Sequence, residues 1–407
     1  MSAAAPLAGV VVVELGASVA APFAGQVLGD LGAEVVKVEK PDGDDARQWG
    51  PPFLDGAAAT FQALNRNKRS VVCDLRDPRS RERLLQFILE RADVVLQNMR
   101  PGQAEAVGLG AEALCAAKPA LVYCNIGAFG SAGPLADRPG YDPLMQGFGG
   151  IMSVVGEEGR PPVRVGPSII DCGTALWAAV GTIAALYRRR ETGRGGIVDV
   201  SLFETAASWM NLHAVQYLAS GELPGRDGSG RAGIVPYRAY RTADGDLVVA
   251  AANDALYRKL CAALGHPELA DDPRFLSNPE RVVNANALYA LIEAEMVKRT
   301  NADWVAALDA VGVPCAPVQN VREMLEHPQT RALGILQAIP GLSVPLVGLP
   351  ISFDGARPAP RSGPPALGEA TAEILGAAPL SRGVRSETTR GAAPLSRGVR
   401  SETKRGV

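Results

Sequence analysis

Few side chains in this sequence combine a reactive group with a setting that favours chemistry, and Asp171 is the clearest. In RVGPSIIDCGTALWAAVGTIAALYRRRETGRG it closes a short apolar run and opens the most apolar helix-period segment of the chain. Residues 168–170 read as extended backbone. A carboxylate placed there has two uses. It can cap the helix by accepting its free amides. With small Gly173 beside it leaving room for a ligand, and water excluded, it can also act as a nucleophile that the capped position keeps ionised. Histidine chemistry has little to draw on: the only imidazoles are His213, His266 and His327, and no GxSxG, HExxH or P-loop pattern occurs. The cysteines at 73, 115, 124, 172, 261 and 315 are scattered, with no CxxC pair, so reduced thiols and no metal site are expected.

The elements that position Asp171 follow from hydrophobic periodicity. Strand-like runs at 10–14, 35–38, 70–74, 94–97, 121–125 and 197–202 alternate with helix-period segments such as 21–31 and 80–91. This rhythm predicts a Rossmann-like α/β domain with a parallel sheet covered on both faces. The opening unit, VVVELGASVAAPFAGQVLGDLGAEVVKVEKPDG, has the shape of a dinucleotide site but only one glycine, Gly16, in its turn. The pyrophosphate fingerprint needs three, and Glu39 is followed by Lys40, which suits a phosphate better than a ribose diol. A nicotinamide site is therefore not expected. A Gly-rich stretch at 225–233 interrupts the pattern. Beyond it, a strand at 246–251 and helices near 253–264, 284–299 and 301–311 predict a smaller α+β domain. The division expected is 1–225 for the large domain, 226–330 for the small one and 331–376 for a segment returning to the large domain. A 15-residue unit at 376–390 recurs at 391–405 with one change (Thr389 against Lys404), and residues 377–407 carry seven Arg/Lys against two Glu, so this tail is expected to be disordered. The formal charge of −2 implies no nucleic-acid partner. The absence of a signal-peptide pattern, with the 172–186 run read as a core helix, leads to a cytoplasmic expectation without a membrane partner.

The segments VELGASVAAPFAGQVLGDLGAEVVKVEKPDGDDARQWGPP, NRNKRSVVCDL, QNMRPG, GPLADRPGYDPLMQGFGG, RRRETGRGGIVDVSLFETA, VPYRAYRTADGDLVVAA, DDPRF, GVPCAPV and ALGEATAEIL follow one another over residues 6–376. Together, and in this order, they resemble family III CoA-transferases of the CaiB/BaiF type. The resemblance implies an interlocked homodimer and a coenzyme A thioester as substrate, with no tightly bound cofactor. Asp171 matches the aspartate that passes the acyl group through a mixed anhydride and an aspartyl-CoA thioester. Val19 and Ala20 match a CoA-contacting loop, with Val19 in place of a glutamine, and Lys40 matches a phosphate-binding position. Cys73, Asp74, Leu75 and Arg76 match a second contacting loop, and Asn98, Met99 and Arg100 a third. Arg138 and Tyr141 match further CoA contacts. Arg47, Asp142, Gly230 and Arg231 are assigned to the carboxylic substrate, the last two on a mobile glycine loop at 228–233. Locally, Arg47 can also pair with Asp44 or Asp45. The segments GDDARQWGPP and VPYRAYRTADG resemble the dicarboxylate-using branch, implying succinyl-CoA as donor and a C4–C6 dicarboxylate as acceptor. An α-methylacyl-CoA racemase of the same fold is the alternative, but Tyr141 stands where its histidine is expected. A non-catalytic CoA-binding protein is a weaker alternative.

Overall fold

The computed structural model describes residues 5–231 and 233–376; the repeated tail at 377–407 lies outside the described residues. In chain order the first unit contains β1 (Val11–Leu15), α1 (Ala20–Asp30), β2 (Glu34–Glu39), β3 (Lys68–Val72), α2 (Pro78–Arg91), β4 (Val94–Gln97) and β5 (Val122–Gly127). It continues through α3 (Asp142–Phe148), α4 (Ile169–Thr192), β6 (Gly196–Ser201), α5 (Leu202–Trp209) and α6 (Asn211–Ser220). The six strands form one parallel sheet in the order β3-β2-β1-β4-β5-β6. This is the doubly wound order, which opens a crevice where the winding reverses, between the C-terminal ends of β1 and β4.

Successive residues of β1 serve opposite faces of the sheet. Val12 packs with α1 and α4 residues such as Val27, Leu28, Ala175 and Ala178, while Val13 and Leu15 pack with Leu84 and Ile88 of α2. Glycines let α1 approach closely. A Cβ at Gly25 would collide with the Glu14 carboxylate, and one at Gly16 with the Ala21 methyl. The length and apolarity of α4 would suffice to cross a bilayer, but its small residues, including Gly173, Thr174, Ala175 and Ala178, are buried against α1, α5, β5 and β6.

The second unit has an antiparallel sheet of β7 (Tyr237–Arg241), β8 (Asp246–Ala250) and β9 (Cys315–Pro317). Its own core is formed with α7 (Asp254–Leu264), α8 (Ala285–Met296) and α9 (Asn301–Val311), around Tyr257, Leu288 and Trp304. Residues 361–373 return to the first sheet. The Arg361 guanidinium donates to the carbonyls of Gly29, Gly32 and Ala33. The Ala370 N–H donates to Ser70 O, the Thr371 hydroxyl accepts from Val72 N–H, and Glu373 pairs with Arg69. These contacts cover the outer edge of β3.

Two local expectations differ from the structure. The third strand begins at Lys68 rather than Ser70, because the polar residues 65–68 are buried and paired instead of looped out. Lys68 Nζ donates to Pro22 O and Asn65 Oδ1, and Arg66 pairs with Asp30. Ile169 is helical rather than extended, for a reason found at the site.

Candidate active site

The crevice at the sheet reversal is floored by the turn from β1 into α1. Asn98, just after β4, fixes this turn by accepting from Ala17 N–H at 3.0 Å and donating to Ala17 O at 2.9 Å. Ser18 adopts φ +70°, and its N–H donates to Asp44 Oδ1 at 3.1 Å. Helix α1 then opens at Val19 without a side-chain cap or an acidic residue in its first turn. Its first amides and the positive end of its dipole are thus left for an anionic ligand.

Beneath this turn lies a buried charge network that local spacing does not reveal. Lys37 Nζ donates to Gly16 O at 2.8 Å and pairs with Glu14 at 2.9 Å and Asp44 at 2.8 Å. The other Glu14 oxygen pairs with Lys68 at 2.8 Å. Burial opposes the charge on Lys37, but the Glu14 and Asp44 carboxylates more than offset it and hold its pKa above the ordinary value. Lys68, with burial dominant and Lys37 adding like charge, is pushed down to about 8.

At the opposite wall, α3 and α4 meet. Asp171 sits inside the first turn of α4, two residues past the helix start, and does not cap it. The cap comes from Asp142, whose Oδ2 accepts from the N–H groups of Ile170 at 2.8 Å and Asp171 at 3.1 Å. This borrowed carboxylate makes residues 169–171 helical. Asp142, assigned to the carboxylic substrate, also lines the cavity, but its carboxylate is engaged within the protein. The side chain is buried, and its Oδ1 is occupied by Gln146 Nε2 at 2.6 Å. Asp171 is therefore not held ionised as a cap would be. Burial first, and the Asp142 charge second, raise its pKa to about 7. No group among the described residues donates to its carboxylate, and it lines the cavity. Gly173 does not make room for a ligand: a Cβ there would lie 2.7 Å from the Trp209 ring and 2.9 Å from the Thr205 methyl, so it serves the packing of α5 on α4.

The cavity holds about 390 Å³ and is lined by Ser18, Val19, Ala20, Trp49, Asn98, Met99, Arg100, Arg138, Tyr141 and Asp171, among others. An adjoining cleft of about 650 Å³ shares Ala17, Ser18, Asn98, Met99, Arg100 and Tyr141 with it and adds Lys40, Cys73, Asp74, Leu75 and Arg76. Most residues expected at the site are thus brought together around one continuous depression of ligand size. Lys40 pairs with Asp45 and Arg76 with Asp74. The Cys73 thiol is buried and pushed up to about 11, mainly by that burial, so it is a neutral wall rather than a nucleophile.

Three expected residues are not at the depression. Arg47 is held by Glu39 through two hydrogen bonds of 2.8 and 2.7 Å, donates to Pro365 O and lies 3.8 Å over the Phe61 ring. This pair involves neither Asp44 nor Asp45 and leaves no free fork for a substrate carboxylate. Gly230 and Arg231 line neither the cavity nor the cleft. Their loop is tied to residues 156–160, with Gly228 N–H donating to Gly156 O and Arg226 to Arg160 O. Trp49 and Gln146 were not singled out by the sequence. Both stand in quoted segments, DDARQWGPP and GPLADRPGYDPLMQGFGG, and that was the only signal available; their places beside the cavity and against Asp142 depend on the fold.

With this geometry in view, comparison with known proteins is direct. The model for CoA-transferase family III matches residues 7–371. The succinate–glutarate CoA-transferase of Agrobacterium fabrum is 37% identical, over 91% of this chain and 95% of that protein. The succinyl-CoA:glutarate CoA-transferase of Mus musculus is 34% identical, over 91% and 86%. A crystal structure of a CAIB/BAIF family protein from Brucella suis is 41% identical with a TM-score of 0.83, covering 91% of this chain and 98% of that one.

Proposed function

The chain belongs to CoA-transferase family III, and from that premise we propose that Asp171 relays CoA from a short dicarboxylyl-CoA, such as succinyl-CoA, to a C4–C6 dicarboxylate. The observation that carries this is the Asp171 carboxylate itself: unbonded, pushed up to about 7, and facing a cavity continuous with a cation-bearing cleft. Two relatives named for glutarate support the dicarboxylate acceptor.

In the first step an Asp171 oxygen bonds to the thioester carbonyl carbon, the C–S bond breaks, and CoA leaves as thiolate. The thiolate then attacks the Asp171 carboxyl carbon of the mixed anhydride, giving an aspartyl-CoA thioester and releasing the donor carboxylate. The acceptor carboxylate attacks this thioester, expelling the thiolate and forming a second anhydride. Return of the thiolate to the acceptor's acyl carbon yields the new thioester and frees Asp171. Activation is conserved at each exchange, so ATP is not consumed, and a poorly solvated carboxylate is a stronger nucleophile than one in water. The open amides at Val19 and Ala20 are placed to stabilise developing negative charge. Lys40, Arg76 and Arg100 line the path proposed for the CoA phosphates, and no tightly bound cofactor enters the scheme.

We further propose a homodimer, interlocked as the resemblance implies. Trp177, Val180 and Tyr187 of α4, Trp209 of α5, and Leu212 and Leu218 of α6 are exposed apolar side chains. The Trp177 and Trp209 rings, 6.4 Å apart, join the helices into one patch suited to a second copy.

The test is turnover of succinyl-CoA with a carboxylate panel, hydroxylamine trapping and mass spectrometry. A hydroxamate at Asp171, and loss of at least about a thousandfold in kcat for Asp171→Asn with CoA binding retained, are expected for a missing nucleophile. Transferase activity retained by Asp171→Asn overturns the assignment.

A further inference from the structure

We propose that Gln146 is a positioning residue for the transfer reaction, fixing the Asp142 carboxylate against the first turn of α4 and thereby setting the charge that Asp171 faces. This rests on the reading of Asp171 as the nucleophile. Gln146 is fully buried on α3, one turn beyond Asp142. Its amide orientation is settled by the backbone at Val165, whose N–H donates to Gln146 Oε1 at 2.8 Å. The amide nitrogen must therefore be the group that faces Asp142 Oδ1, at 2.6 Å, and it also reaches Val165 O at 3.3 Å.

Three N–H donors consequently converge on the Asp142 carboxylate: one from Gln146 and the two from Ile170 and Asp171. Asp142 is thus fixed as the hydrogen-bond acceptor at this corner, while the Asp171 carboxylate faces the open cavity with no donor among the described residues. Gln146 also ties together three segments that local sequence does not connect: α3, the extended residues at 165, and the start of α4. The other titratable and charged groups around the pair are Arg100 and Arg138, which line the same cavity, Tyr141 beside Asp142, Cys172 on α4, and Arg164, whose guanidinium donates to Val165 O and Gly166 O.

The experiment is the pH profile of kcat/KM for the acyl-CoA in the full-length enzyme, measured for Gln146→Met, Asp142→Asn and the double variant, with thermal midpoints and calorimetric CoA binding alongside. Asp142→Asn removes the facing charge and moves the acid limb to lower pH by about one unit. Gln146→Met moves it in the same direction by about half a unit, and the double variant matches Asp142→Asn alone, because Gln146 acts only through Asp142. Should Gln146→Met fail to fold, Gln146→Glu places a second carboxyl against Asp142 and moves the limb upward. A limb unchanged by the Gln146 substitution that folds, or Met and Asn shifts that add in the double variant, overturns the proposal. Failure of the underlying reading shows separately, as transferase activity in Asp171→Asn.

Discussion

Two regions border the same cavity, and both bury charge, yet they balance it in opposite ways. Under the β1–α1 turn, Glu14 and Asp44 are matched by Lys37 and Lys68, and ion pairs of 2.8–2.9 Å link all four. At the α3–α4 corner two carboxylates stand together, and among the described residues Asp142 takes all the donors while Asp171 has none. The first arrangement builds a fixed floor, because each charge stabilises its neighbours and the Gly16–Ser18 backbone is fastened to them. The second concentrates instability on one group, which can relieve it only by taking a proton or bonding to carbon. Neutralised charge makes structure here; unneutralised charge makes reactivity.

The contrast can be broken first at the floor. Lys37→Met leaves two buried carboxylates with a single ammonium, and a loss of about 3–5 kcal/mol in unfolding free energy by denaturant titration is expected. Adding Glu14→Gln should restore part of it, and an unchanged single variant would show that the network is not the anchor.

Asp171 should respond with the opposite sign. Its folded pKa, about 7, lies above that of the unfolded chain, so its contribution favours folding at low pH and is lost as pH rises through 7. Asp171→Asn should thus stabilise the fold, by on the order of 2 kcal/mol at pH 8 and by little near pH 4, read as a thermal-midpoint gain that grows with pH. In the unsubstituted enzyme kcat/KM should climb with pH through about 7 as Asp171 ionises.

The smallest effect belongs to the surface. Arg76, 87% exposed in its pair with Asp74, should give Arg76→Ala an unchanged thermal midpoint and an acyl-CoA KM raised about three- to tenfold, as for one lost charged contact.

The sequence made the strand–helix rhythm legible because β-branched runs and apolar stripes are local signals. It marked Asp171 for the same reason, a lone acid at the head of an apolar helix. Whether that acid caps or reacts was not local: the deciding partner, Asp142, lies 29 residues earlier. Arg47 was assigned to the carboxylic substrate, with Asp44 or Asp45 as its only local partners, because the chain does not show that sheet geometry presents Glu39 to it. Glu14 ended the strand-like run at 10–14 with nothing in that run to mark it as a buried ion-pair partner, though Gly25 leaves a space for its carboxylate against α1. Pairings of this kind depend on which strands become neighbours, and no spacing within one segment records them.

The returning segment at 361–373 bears on how the molecule is made. The outer edge of β3 and the C-terminal end of α1 are finished by residues roughly 300 positions later. During synthesis the opening βαβ unit therefore leaves the ribosome long before its closing strap exists, with one strand edge open to pairing with other chains. Closing so long a loop carries an entropic cost and raises contact order, so completion of the sheet should be a late and slow event in folding. A truncated nascent chain ending before Arg361 should accordingly be the aggregation-prone species, and residues 361–373 the ones that render its first strands safe.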